Sequence, residues 1–163
     1  MSHDSLAGAP PSLLVRTPPP LLFAAALAIA LVIERKIPVG LLPAVLASYG
    51  GVLSAVLLVG GGALAGSAAT IFRLRHTTLS PAGEPSSLVV VGPFRWTRNP
   101  MYLSLTLVVL GAAAWGNTAW PVMLLPAPLL ALEFAIIPFE ERTLTDRFGD
   151  DYRAYCGRVR RWV

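Results

Sequence analysis

One cysteine, one lysine and two histidines are all that this 163-residue sequence offers to several common chemistries. Cys156 stands alone, so neither an intrachain disulfide nor a CxxC metal site can form. The sequence carries no HExxH pattern and no GxSxG elbow, and His3 and His76 are isolated from other ligand types. Metalloenzyme and serine-hydrolase readings therefore lack their reacting groups, and no metal is expected. Charge is scarce too: 13% of residues are ionic, against roughly 25% in an average soluble domain. Lys36 is the only lysine, so the net charge of +4 comes from arginine. Without a basic recognition helix, zinc spacing or a basic stretch interleaved with aromatics, nucleic acid is not an expected partner.

What the chain has instead is apolar length. It is 55% hydrophobic, with a mean hydropathy of +0.63, and its apolar residues form long uncharged blocks that suit a bilayer. The pattern predicts an all-α integral membrane bundle of about four transmembrane helices with a C-terminal interfacial helix. Residues 1–16 read as a disordered tail and 17–163 as one membrane domain, with apolar helices over 17–72 and a polar half over 73–163. A short first span follows Pro18, Pro19 and Pro20. It does not read as a cleaved signal peptide, because its small residues lead into further apolar sequence.

The uncharged block from Ile37 to Phe72 exceeds the roughly 20 residues a crossing needs. Its Gly62 and Gly66 have the GxxxG spacing that lets another helix, in this chain or a second copy, approach closely. Asn99 followed by Pro100 predicts a helix start with Asn99 as the N-cap. Gly116, Asn117 and Pro121, between Trp115 and Trp120, predict a reversal, and Gly149 a break in the last helix. The arginines at 73, 75, 95 and 98 and those from Arg142 to Arg161 fall on one side of this topology. By the positive-inside rule both termini are then cytoplasmic, in an inner or plasma membrane.

Polar chemistry concentrates where the loop from Ser87 to Tyr102 and the acidic stretch from Glu133 to Glu141 meet one face of the bilayer. Arg95 and Arg98 have two readings there: anchors paired with Glu140, Glu141 or lipid phosphates, or receptors for a small zwitterion. In the second, an arginine and the N–H groups of the Asn99 helix start receive a carboxylate while a glutamate receives an ammonium. Glu133 lies within a span, where carboxylates are costly and border a polar cavity or pair with a cation. Seven residues before Glu140, it shares nearly the same helical face.

The run Ser87-Leu88-Val89-x-x-Gly92-Pro93-Phe94-Arg95-x-x-Arg98-Asn99-Pro100-Met101-Tyr102 resembles the signature of isoprenylcysteine carboxyl methyltransferases and related phospholipid methyltransferases. Glu140-Glu141-x-x-Leu144, Phe148-Gly149-x-x-Tyr152-x-x-Tyr155 and Val159-Arg160 resemble their C-terminal motif, and together the two cover roughly the last 75 residues. The resemblance implies an S-adenosylmethionine-dependent methyltransferase acting on a lipid-like or isoprenylcysteine-like carboxylate or amine. It places Leu88, Val89, Phe94, Asn99, Pro100, Met101, Tyr102, Glu140 and Glu141 at the cofactor. Apart from the resemblance, Arg98 and Glu133 are the candidate catalytic residues, with Glu133 as the base for an amine acceptor or as the group that orients the acceptor. Asn99 stands where the carboxyl methyltransferases typically have His, Phe94 where they have Tyr, and Ile136 where they offer the substrate an arginine. The competing expectation is a non-catalytic membrane scaffold whose arginines and glutamates only fix topology.

Overall fold

The computed structural model describes residues 13–74 and 87–163, and its regular elements are helices throughout. Helix α1 is one turn, Leu13–Arg16, and Pro18 then leads into α2, Pro19–Glu34, with proline in its first turn. A proline there sacrifices an N–H that has no intrahelical partner anyway. The uncharged block from Ile37 is not one helix. Pro38, Gly40 and Pro43 interrupt it, leaving the short α3, Ala44–Ala47, ahead of α4, Gly50–Leu74. After a 3-10 turn at Gly92–Arg95, α5 runs Pro100–Trp115. The returning arm is segmented into α6, Trp120–Leu124, α7, Pro126–Ala131, a π-helical turn at Leu132–Ile136, and α8, Ile137–Cys156. Pro126, Pro128 and Pro138 each withhold a backbone donor, which breaks the regular ladder without ending the arm.

Residues 1–12 of the expected tail, with His3, lie outside the described residues, as do Arg75 and His76. Residues 13–16, expected to be disordered, are helical instead. Val15 is 5% exposed, and its helix packs against the π-helical turn. Burying that apolar side chain outweighs the weak propensity of a four-residue helix.

The protein is a membrane helical bundle. Helix α4, at 25 residues, is long enough for a hydrocarbon core of about 30 Å, as is the arm from Trp120 to Cys156. Helices α2 and α5, 16 residues each, reach only about 24 Å. Successive passes alternate in direction. The solvent logic is inverted relative to a water-soluble bundle: on α4, Val52, Val56 and Val59 face outward while the small residues Gly50, Ser54, Gly61 and Ala68 are buried. In lipid, association comes from close backbone approach, which small residues allow. A Cβ on Gly61 would lie 3.1 Å from the carbonyl oxygen of Ser104 on α5, and one on Gly111 2.8 Å from Leu58. A Cβ on Gly62 or Gly66 would meet no other helix within 4 Å among the described residues, so the seam inside the bundle runs one residue away from the GxxxG pair.

At one end of the bundle the loop after α2 is laced to the turn between α5 and α6. Glu34 accepts hydrogen bonds from Thr118 Oγ1 (2.6 Å) and the Val39 amide (3.2 Å). Asn117 Oδ1 accepts from the Leu42 amide, and Trp120 Nε1 donates to the Ile37 carbonyl. At the other end α8 kinks at Gly149, whose φ of 52° and ψ of −121° suit glycine alone. The kink folds Tyr152, Tyr155 and Val159 back onto Leu88, Val90 and Leu144. Gly149→Ala is therefore expected to destabilise the protein by about 1–3 kcal/mol, measurable by thermal denaturation of the purified protein, although a methyl group would meet no neighbour among the described residues.

Candidate functional site

Helices α2 and α5 begin, and α4 ends, at the same end of the bundle, and α8 passes across it. These elements enclose a cavity of about 610 Å³, within the roughly 300–1,000 Å³ usual for small-molecule sites. One wall is the Ser87–Val89 loop and the 3-10 turn. Phe94 is set there by an edge-on contact with Phe72, ring centroids 5.3 Å apart, and by Tyr155, whose hydroxyl donates to the Phe94 carbonyl at 2.7 Å. A second wall is the first turn of α5, and a third is α8. Val15 to Pro20 close the side where α2 starts.

Two arginines and two glutamates form an alternating chain beside this cavity. Arg98 Nη1 lies 2.9 Å from Glu141 Oε1 and also donates to Cys156 Sγ at 2.8 Å. Arg161 grips the same Glu141 in bidentate fashion, Nη2 donating to Oε2 at 2.6 Å and Nε to Oε1 at 3.2 Å. Arg161 Nη1 also donates to Glu133 Oε1, and Trp162 Nε1 donates to Glu133 Oε2 at 2.9 Å. The hydrogen bond with Glu141, reinforced by that with Glu133, holds the Arg161 guanidinium above its ordinary pKa against the opposing effect of burial. It stays charged at any working pH. Glu140 is separate: its Oε1 accepts the Tyr102 hydroxyl at 2.5 Å.

The backbone of the last residues is also engaged. The carbonyl of Arg161 accepts from Thr97 Oγ1 (3.1 Å) and Asn99 Nδ2 (2.9 Å), and that of Arg160 from the Arg98 amide (3.0 Å). Asn99 thus occupies the N-cap position of α5 without capping it by its side chain, contrary to the sequence expectation. Its amide is drawn to the C-terminal strand of chain, and the first-turn N–H groups of α5 are left without a side-chain cap.

The residues expected at the cofactor all line the cavity: Leu88, Val89 and Phe94 from the loop and turn, Asn99, Pro100, Met101 and Tyr102 from the start of α5, and Glu140 and Glu141 from α8. Arg98 lines it as well. Glu133 does not. The π-helical turn at Leu132–Ile136 inserts an extra residue between Glu133 and Glu140, a phase change of about 100° that removes the shared face inferred from their spacing. Ile136 is fully buried in the bundle core, and Arg95 is exposed outside the cavity. Sequence reasoning missed Arg161 and Trp162. The signal for them was the cation that an intramembrane glutamate demands. Val15 to Pro20 gave no signal at all.

Two buried polar atoms beside the cavity, Ser87 Oγ and Arg98 Nε, have no partner among the described residues. A buried donor left unmatched is unfavourable by about 1–3 kcal/mol, so a site lined by two of them is built for a polar ligand. Residues 49–151 match the sequence profile described as phospholipid methyltransferase. An uncharacterized protein of Haemophilus influenzae is 42% identical over 65 residues, which are 39% of this chain and 100% of that protein. No solved structure matches the chain significantly.

Proposed function

The chain belongs to the phospholipid methyltransferase family, and from that premise we propose that it binds S-adenosylmethionine in the cavity below α8 and transfers the methyl group to a lipid-like carboxylate. The observation that carries this reading is the pairing of unmatched polar atoms, Ser87 Oγ and Arg98 Nε, with a carboxylate, Glu140, in one largely apolar cavity. Arg98 Nε and the uncapped first turn of α5 suit the donor's carboxylate, Glu140 suits its ammonium, and Leu88, Val89, Phe94 and Met101 suit the adenosine. When bound, the donor supplies a methyl group on a sulfonium, electrophilic enough for direct displacement.

The chain's own residues then bind, orient and exclude water. Aligning donor and acceptor in a closed site supplies on the order of 7–11 kcal/mol in favourable cases. A carboxylate acceptor forms its C–O bond as the C–S bond breaks and has no proton to lose. An ammonium acceptor requires a base, and each carboxylate here is already engaged: Glu140 by Tyr102, Glu141 by Arg98 and Arg161, and Glu133 by Arg161 and Trp162. That favours O-methylation. It also recasts Glu133 from base to brace, and Arg98 as the group that orients the donor. The arginine-rich end of the bundle is assigned to the cytoplasmic side by the positive-inside rule, in an inner or plasma membrane. Purified protein in lipid nanodiscs is expected to bind S-adenosylhomocysteine with a one-to-one calorimetric isotherm, and absence of any binding heat across several temperatures would remove the proposal.

A further inference from the structure

Among the described residues, four charged side chains line the cavity: Arg16, Arg98, Glu140 and Glu141. Arg98 and Glu141 belong to the neutral chain that Arg161 and Glu133 complete. Glu140 faces the donor's ammonium in the reading above. Arg16 remains. It closes α1, is exposed, and has no ion-pair partner among the described residues.

Its position is set by packing. Val15, immediately before it, is buried in a helix that packs against the π-helical turn, and Thr17 Oγ1, immediately after it, donates to the Leu13 carbonyl at 2.9 Å. Pro18, Pro19 and Pro20 then stiffen the chain into α2. The arginine is held at the cavity margin by a clamped turn. The same cavity offers apolar lining at Pro18 and Pro20, close to it in the sequence, and at Ala65 and Leu105.

We propose that Arg16 is the specificity-determining residue for the acceptor, receiving an anionic oxyacid group, carboxylate or phosphate, on an amphiphile whose apolar part lies along Pro18, Pro20, Ala65 and Leu105. This rests on the donor reading above. A guanidinium offers a planar pair of N–H groups that match either oxyacid, and at the margin of a low-dielectric cavity its charge is less screened than on an open surface. An ammonium head group would be repelled there. An arginine that merely snorkels to lipid phosphates at the interface has no preference among amphiphiles inside the cavity, which gives the two roles different signatures.

The test uses the full chain in nanodiscs of zwitterionic phosphatidylcholine, saturated with S-adenosylhomocysteine. Laurate, dodecyl phosphate, dodecanol and dodecyltrimethylammonium are titrated as probes. Wild type is expected to bind one or both anionic probes at least about tenfold more tightly than the neutral and cationic ones, with laurate ahead of dodecyl phosphate if the recognised group is a carboxylate and the reverse if it is a phosphate. Arg16→Gln should abolish that preference, Arg16→Lys should keep part of it, and both should bind S-adenosylhomocysteine as wild type does. If Arg16→Gln retains the full anionic preference, or wild type shows none, Arg16 is an interfacial anchor and the inference fails. Loss of S-adenosylhomocysteine binding by wild type itself would instead remove the donor reading.

Discussion

Arg161→Ala is expected to lower the unfolding free energy by about 2–3 kcal/mol and to weaken S-adenosylhomocysteine binding by about tenfold. Removing one member of a buried ion pair typically destabilises by about 3–5 kcal/mol, because the other charge stays behind. Here the Arg161 and Glu133 side chains are 29% and 33% exposed, so solvent relieves part of that penalty. The substitution leaves Glu133 without its cation inside a span and Glu141 with only Arg98. The effect on binding follows because Glu141 helps set the Arg98 guanidinium, and Arg161 acts through it without touching the donor. A second substitution separates bracing from simple damage: Glu133→Gln in the Arg161→Ala background removes the unpaired charge, so the double variant should recover part of the lost stability. Chemical denaturation in detergent gives both values, with an expected coupling of about 0.5–3 kcal/mol. A single variant within about 0.5 kcal/mol of wild type would show that the C-terminal residues only rest on the bundle.

Glu140→Gln is expected to weaken S-adenosylhomocysteine binding by about 10- to 100-fold while leaving the fold intact. A hydrogen bond to a charged group contributes about 1.5–3 kcal/mol, and the amide retains the shape and an acceptor oxygen for Tyr102 but no charge for an ammonium. Tyr102→Phe should be milder, because it removes the hydroxyl that orients Glu140 at 2.5 Å and keeps the carboxylate. Calorimetric titration of both variants, alongside their far-ultraviolet circular dichroism, distinguishes loss of the charge from loss of the fold. Equal affinity in wild type and Glu140→Gln would take the ammonium away from this carboxylate.

The clustering of these cavity-lining residues was legible in the sequence because they are close along the chain. Leu88 to Tyr102 form a loop and a helix start whose glycine and prolines dictate local shape, and Glu140 and Glu141 are adjacent on one helix. Glu133 was not legible in the same way. Counting seven residues to Glu140 assumes an uninterrupted α-helix, and the π-helical turn between them breaks that assumption. Asn99 failed for a different reason: a side chain suited to capping was drawn into a bond with Arg161, 62 residues away. Likewise the GxxxG spacing named the helix that packs on α5 but not the stripe it uses there, which runs through Gly61, since spacing gives periodicity but not which stripe meets α5.

By itself, the sequence determined that this protein folds in a bilayer, that its helices start and stop where prolines and glycines place them, and that its polar chemistry gathers at one end. Those properties follow from solvent transfer and local backbone sterics, which act over a few residues at a time. Only the tertiary structure decided which charges are partners, that the C-terminal Arg161 and Trp162 hold Glu133, and that Arg16 reaches the cavity from the other end of the chain. Such choices depend on which surfaces meet when helices pack, and in lipid that is settled by close backbone contact between distant segments.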